Sequence, residues 1–102
     1  MGKFLKVAAV ADVPPGSATQ VEADGKTIAL FNLNGQFYAI ENSCTHAGGP
    51  LAEGTIVEDR VVCPWHGANF NIKTGEVLTP PAGEGVAVYK VRVQGSDLEI
   101  EL

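Results

Sequence analysis

The sequence lacks the features that mark membrane proteins and nucleic-acid-binding proteins. It has no apolar run close to the roughly 18 residues of a transmembrane helix, so we expect no membrane anchor. It begins MGKFLK, without the apolar segment of a signal peptide. It has seven Lys and Arg against twelve Asp and Glu, a net charge of −5. Because no basic stripe is present, nucleic acid is not an expected partner.

Cysteine and histidine are also scarce, with two of each in 102 residues. They form two short motifs, Cys44-x-His46 and Cys63-x-x-His66, which together use all four. A disulfide or two buried thiols would explain the cysteines but not the histidine beside each of them. A catalytic Cys–His pair needs one nucleophile with a base and an orienting group, unlike two repeated Cys–His units. The four residues therefore indicate a metal site.

Two kinds of metal site match this ligand set. Structural zinc binds Cys₂His₂ tetrahedrally with ligand pairs two to four residues apart, a spacing that Cys63-x-x-His66 has and Cys44-x-His46 does not. A Rieske [2Fe–2S] centre takes two Cys on one iron and two His on the other. Sixteen residues separate the motifs, enough for a hairpin that brings one mixed pair back onto the other. The mixed pairs favour the iron–sulfur centre and leave zinc as the alternative.

The residues that flank both motifs strengthen this interpretation. CTHAGGP at 44–50 and CPWHGANF at 63–70 are Gly- and Pro-bearing loops, in which glycine lets backbone N–H groups approach sulfur. With these flanks the chain resembles the Rieske family over nearly its whole length. It is most similar to the small soluble Rieske ferredoxins of bacterial aromatic-ring-hydroxylating dioxygenase systems. The resemblance implies one Rieske-type [2Fe–2S] cluster.

The resemblance also implies roles for individual residues. Cys44 and Cys63 would bind the inner iron, and His46 and His66 would bind the outer iron through Nδ1. Residues 75–82 resemble the family's third loop, in which Pro80 and Pro81 shield the cluster, although the residues alone favour an ordinary rigid turn there.

The function implied by the resemblance is one-electron transfer. Such a carrier receives electrons from an NAD(P)H-dependent flavoprotein ferredoxin reductase and passes them to a terminal oxygenase with its own Rieske centre. It is not an enzyme in its own right. Two cysteines needed as thiolates suit the reducing cytoplasm. Two alternatives stay open: the small Rieske subunit of an assimilatory nitrite reductase, and a zinc-stabilised interaction module.

A low reduction potential is a further expectation. Respiratory and photosynthetic Rieske proteins have a disulfide between the two loops, at positions that look like Gly49 and Trp65 here. They also place Ser and Tyr hydroxyls near cluster sulfur, where this chain has Ala68 and Phe70. Since hydrogen bonds to sulfur stabilise the reduced cluster, their loss lowers the potential, and we expect about −150 mV. Trp65 itself has two interpretations, a packing lid or a docking contact.

Alternation and turn signals predict a single, all-β domain. Asp24-Gly25 and Asn34-Gly35 are hairpin signals between apolar runs. Further strands are expected at 86–93 and 98–102, with short ones near 55–57, 60–63 and 69–72.

These strands predict a Rieske-type arrangement in two parts. We expect a basal antiparallel β-sandwich or barrel from about 1–42 and 82–102. A small cluster-binding subdomain, about 43–81, would be inserted between these two segments.

Overall fold

The computed structural model describes residues 3–43, 50–65, 67–78 and 85–101. Within these ranges the chain consists of ten β-strands and two short 3₁₀ helices. The strands are β1 Phe4–Ala9, β2 Ala18–Ala23, β3 Lys26–Leu33, β4 Gln36–Glu41, β5 Thr55–Val57, β6 Arg60–Val62, β7 Asn69–Asn71, β8 Val88–Tyr89, β9 Val91–Gln94 and β10 Asp97–Glu101. The 3₁₀ helices are η1 Val10–Asp12 and η2 Leu51–Glu53. In this part of the chain no helix has the length and apolar character needed to cross a membrane.

The strands form three antiparallel sheets. The first has the order β1-β10-β9, the second β2-β3-β4-β8, and the third β5-β6-β7. The all-β prediction is confirmed. We call the first two sheets the base, and β5-β6-β7 the third sheet.

Two tight hairpins build the centre of the base, as the sequence predicts. Ala23 pairs with Lys26 and Leu33 with Gln36, which leaves two residues in each turn. Asp24 and Asn34 have φ of 52° and 56°, and each is followed by a glycine at positive φ. This is the type I′ pattern, whose twist matches that of the flanking strands and which Asp-Gly and Asn-Gly adopt readily.

The predicted strand at 86–93 is divided between two sheets. β8 pairs with β4 through Ala39 and Tyr89, whereas β9 pairs with β10 through Val91 and Ile100. The chain changes sheets at Lys90, whose carbonyl accepts a hydrogen bond from Glu101 N at 2.9 Å. The alternation of side chains in the sequence continues across this point, because it reflects the pleat of the chain itself and not which strand lies beside it. β1, which the sequence analysis does not predict, completes the edge beside β10.

Strand β3 buries both of its faces, and this divides the core in two. Side chains alternate across a strand, so Ile28 and Leu30 point to one side and Ala29 and Phe31 to the other. All four are fully buried. The base cluster contains Val13, Ala23, Ile28, Leu30, Ala39, Leu98 and Ile100. The second cluster lies between the base and the third sheet and contains Ala29, Phe31, Ile40, Leu51, Val61, Cys63, Ala68, Phe70, Ile72 and Val86.

Candidate metal centre

One of the four predicted ligands, Cys63, lies in the described part of the chain. Cys44, His46 and His66 lie outside it, as does the predicted Pro80-Pro81 cover. Among residues 3–43, 50–65, 67–78 and 85–101, no three His, Cys, Asp or Glu are grouped to hold a metal ion.

Cys63 begins a tight loop between two strands of the third sheet. It directly follows β6, and its N–H donates to Ala68 O at 2.7 Å. Gly67 N–H donates back to Cys63 O at 3.1 Å, and Gly67 has a φ of 77° that suits glycine. These bonds close residues 63–68 into a hairpin loop that leads into β7. The backbone thereby determines where the Cys63 side chain enters the core.

The surroundings of Cys63 are apolar. The residue is 2% exposed and belongs to the second cluster with Leu51, Ala68 and Phe70. A coordinated metal ion can satisfy a cysteine sulfur in such a setting. The burial of Cys63 at the start of a tight loop is therefore compatible with a role as an iron ligand.

The described residues on either side of the first motif are anchored beside this loop. Ser43 and Pro50 pair in a β-bridge. Buried Asn42 strengthens the anchor: its carbonyl accepts from Leu51 N at 2.7 Å and its Oδ1 from Ala52 N at 2.8 Å. Leu51 and Cys63 share one cluster, so the end of the first loop lies in the core that holds the beginning of the second. No sequence motif indicated this role of Asn42.

A third segment runs beside the Cys63 loop. Val77 forms a bridge with Phe70, and Leu78 N–H donates to Asn69 O at 2.8 Å. Residues 75–78, the described part of the predicted third loop, thus extend along β7 toward residues 63–68. This places three chain segments at the same end of the third sheet.

Two large apolar side chains are exposed at this end. Trp65 is 55% exposed and Leu78 is 41% exposed. A side chain more than half exposed covers little of the core, so the structure favours the docking interpretation of Trp65 over the lid. Exposed Trp is a frequent anchor of protein interfaces.

Charged residues are arranged unevenly along the third sheet. Glu53 is exposed and lies beside the strand end that leads to Cys63, since Thr55 pairs with Val62. Arg60 is at the opposite end of β6, which at the rise of a strand places it about 10 Å from Cys63. Lys73 is at that end too, 5.8 Å from the Tyr38 ring centroid. Among the described residues, the two bases near this sheet therefore lie at the end remote from Cys63, where Glu58 and Asp59 lie as well.

A polar groove of about 570 Å³ lies at this opposite end. It is open to solvent, and its position is remote from Cys63. Its lining is formed by Leu33, Asn34, Gln36, Tyr38, Glu58, Asp59 and Lys73.

Comparison with known proteins decides between the two metal sites. The family model of the Rieske [2Fe–2S] domain matches residues 3–90. The chain belongs to the Rieske [2Fe–2S] family. Its cofactor is accordingly a Rieske-type [2Fe–2S] cluster and not zinc.

Curated relatives of this Rieske protein are ferredoxin subunits. The biphenyl dioxygenase ferredoxin subunit of Pseudomonas sp. (strain KKS102) is 39% identical over 96% of this chain and 91% of its own length. The 3-phenylpropionate/cinnamic acid dioxygenase ferredoxin subunit of Shigella boydii serotype 4 (strain Sb227) is 45% identical, covering 91% and 88%. The chain is thus an electron carrier and not a catalytic enzyme itself.

Solved structures agree with this assignment. A complex of reduced oxygenase and oxidized ferredoxin in carbazole 1,9a-dioxygenase contains a chain with TM-score 0.88 and 36% identity, over 95% of this chain and 91% of that one. The nitrite reductase small subunit from Mycobacterium tuberculosis has TM-score 0.90 but 24% identity, over 100% and 96%. The second likeness supports the fold alone.

Proposed function

We propose that this Rieske ferredoxin carries single electrons from an NAD(P)H-dependent flavoprotein ferredoxin reductase to a terminal aromatic-ring-hydroxylating dioxygenase with its own Rieske centre. The single observation that carries the proposal is the buried Cys63 in a tight loop beside the exposed Trp65. It combines an iron ligand with a contact surface. The dioxygenase relatives and the oxygenase–ferredoxin complex support this choice of partner. The need for two reduced thiols supports a cytoplasmic location.

The ligand assignment belongs to the same proposal. Cys44 and Cys63 bind the inner iron, and His46 and His66 bind the outer iron. When bound, the cluster supplies reversible one-electron transfer. The described residues exclude water from the Cys63 sulfur and hold its loop. In this scheme residues 43–81 form the cluster-binding subdomain and residues 1–42 and 82–102 the base.

A low potential follows from the side chains around Cys63. Ala68 and Phe70 are fully buried in its cluster, and neither has a hydroxyl group. Without a hydroxyl donor, the extra negative charge of the reduced state is less stabilised. We therefore place the potential near −150 mV, at the lower end of Rieske values.

Changing Ala68 to Ser is expected to raise this potential. The new hydroxyl lies in the apolar side-chain cluster that contains Cys63. A hydrogen bond to charged sulfur there contributes about 1.5 kcal/mol. About 1.4 kcal/mol is a tenfold change in equilibrium, or 59 mV for one electron, so we expect a rise near 60 mV by redox titration. Ala68→Gly is the matched control because it perturbs the loop without adding a donor. An Ala68→Ser potential no higher than that of Ala68→Gly would contradict the explanation.

Changing Trp65 to Ala is expected to weaken oxygenase docking. Losing an interface Trp commonly costs more than 1.4 kcal/mol, which is tenfold in affinity. The apparent KM of the oxygenase for the reduced ferredoxin should therefore rise about tenfold, with the visible spectrum and potential unchanged. Val93→Ala is the matched control, because Val93 is 51% exposed on β9 of the base. Equal KM values for the two variants would exclude Trp65 from the interface.

Reconstitution tests the whole proposal. The purified protein should show the visible and EPR spectra of a Rieske centre, whereas a colourless zinc protein would refute it. With NADH, a ferredoxin reductase and a biphenyl-type oxygenase, product formation should depend on added ferredoxin. A chain that forms a stable complex with a nitrite reductase large subunit, and gives the oxygenase no electrons, would replace this function with the nitrite reductase alternative.

A further inference from the structure

Two glycines meet where the third sheet joins the base. Gly75 is buried, with a φ of 75°, and its carbonyl accepts a hydrogen bond from Val86 N at 2.8 Å. A Cβ on Gly75 would overlap Val86 O, and a Cβ on Gly85 would lie 2.5 Å from Gly75 O. We call this contact the Gly75–Gly85 crossing. Only glycine at both positions lets the two backbones approach this closely.

On one side, the crossing is continuous with the Cys63 loop. Gly75 N–H donates to Asn71 O at 2.7 Å, and Asn71 N–H donates to Glu76 O at 2.9 Å. These bonds join Gly75 to β7, which leads back to Ala68, whose carbonyl holds Cys63 N. A short hydrogen-bonded ribbon therefore connects the crossing to the predicted iron ligand.

On the other side, the crossing is continuous with the base. Ala87 O accepts from Glu41 N at 2.9 Å, and Val88 pairs with Ile40 on β4. Val86, between the crossing and β4, is 7% exposed and belongs to the same buried cluster as Cys63. The crossing thus joins the third sheet to the base at the Arg60 end of β6, and it fixes the backbone of Val86, a member of the second cluster.

We propose that the Gly75–Gly85 crossing is a positioning device that sets the reduction potential of the [2Fe–2S] centre. It does so by holding Val86 and β7 in the apolar side-chain cluster that contains Cys63. The proposal rests on the function and ligand assignment proposed above. An added methyl group separates the two backbones, breaks the Val86–Gly75 bond and lets water into the second cluster, the apolar cluster that contains Val86 and Cys63. Water stabilises the extra negative charge of the reduced state, so opening the crossing raises the potential.

The test uses the cluster-loaded protein and the variant Gly85→Ala. We expect the one-electron equilibrium to shift about tenfold toward the reduced form, equivalent to 59 mV. Cluster loss to a chelator should also be faster. Hydrogen exchange of the peptide that contains Val86 should increase, which confirms that the crossing has opened. A loaded Gly85→Ala protein with faster exchange at Val86 but the wild-type potential overturns the proposal.

Two controls separate positioning from general destabilisation. Gly25→Ala introduces backbone strain, at a φ of 77°, in a turn with no atom within 4 Å of the new Cβ. Leu98→Ala removes a fully buried side chain from the base cluster, which does not contain Cys63. Both should lower the unfolding temperature and leave the potential unchanged. A shift equal to that of Gly85→Ala in either control would also overturn the proposal.

A second variant covers the case in which Gly85→Ala does not accumulate with a cluster. Val86→Ala keeps every backbone atom of the crossing and removes two methyl groups from the apolar side-chain cluster that contains Cys63. It should also raise the potential, and an unchanged potential would refute the positioning role. A wild-type protein without a Rieske spectrum or electron delivery would refute the proposed function instead.

Discussion

Replacing Cys63 with Ser is expected to abolish the cluster and to unfold much of the third sheet. The hydroxyl of Ser is a poor substitute for a thiolate on iron, and the position is 2% exposed, which leaves a polar group buried without the metal. Because metal binding contributes directly to folding, loss of the cluster also removes stability. Visible absorbance should fall to the protein baseline, and thermal unfolding should begin at a lower temperature.

Val61→Ala is the control for this experiment. Val61 is fully buried on β6, two residues from Cys63 and in the same cluster. Truncation of Val61 should lower the stability of the same sheet, while the [2Fe–2S] cluster and its EPR signal are retained. A Cys63→Ser protein with a normal Rieske spectrum would mean that the ligand assignment is wrong.

Replacing Phe70 with Ala is expected to have the second-largest effect. Phe70 is fully buried on β7, where it pairs with Val61 and bridges to Val77. Removing a buried Phe costs about 3–5 kcal/mol because a cavity remains. In a domain of about 100 residues, each kcal/mol lowers Tm by about 4–8 °C, so a decrease of about 12 °C or more is expected in a thermal melt. The cavity lies in the apolar side-chain cluster that contains Cys63, so chelators should also remove iron faster.

Phe31→Ala separates these two consequences. Phe31 is equally buried in the same cluster, but it is on β3 of the base. It should lower Tm by a similar amount and accelerate iron loss less, because β7 and the loop that leads to it stay packed. Equal rates of iron loss at equal Tm would show that stability alone, and not the place of Phe70 beside the loop, controls cluster retention.

Much of the fold is predictable from local signals in this chain. Asp24-Gly25 and Asn34-Gly35 determine two turns because positive φ is accessible to these residues and the turn twist suits the strands. The burial of both faces of β3 was not predicted, because it depends on the third sheet packing against the base. The change of sheets at Lys90 has no local signal, since it depends on which strand is the neighbour.

The candidate site shows the same division between local and tertiary information. The two Cys–His motifs indicate a metal site, and with their glycines and prolines they carry the resemblance to the Rieske family, which is confirmed. Asn42 was missed because its buried hydrogen bonds join it to residues nine and ten positions away. The burial of Cys63 and the exposure of Trp65 likewise emerge only when three segments meet at one end of a sheet.

The sequence by itself indicated a Cys₂His₂ metal site and the all-β class, and its motifs carry the resemblance to the Rieske family. These depend on residue type and spacing, which a linear chain states directly. Only the tertiary structure decided that one strand divides between two sheets, that Ala68 and Phe70 pack with Cys63, and that Gly75 meets Gly85. Such contacts join residues far apart in the chain, and backbone packing creates them only when the separate sheets come together.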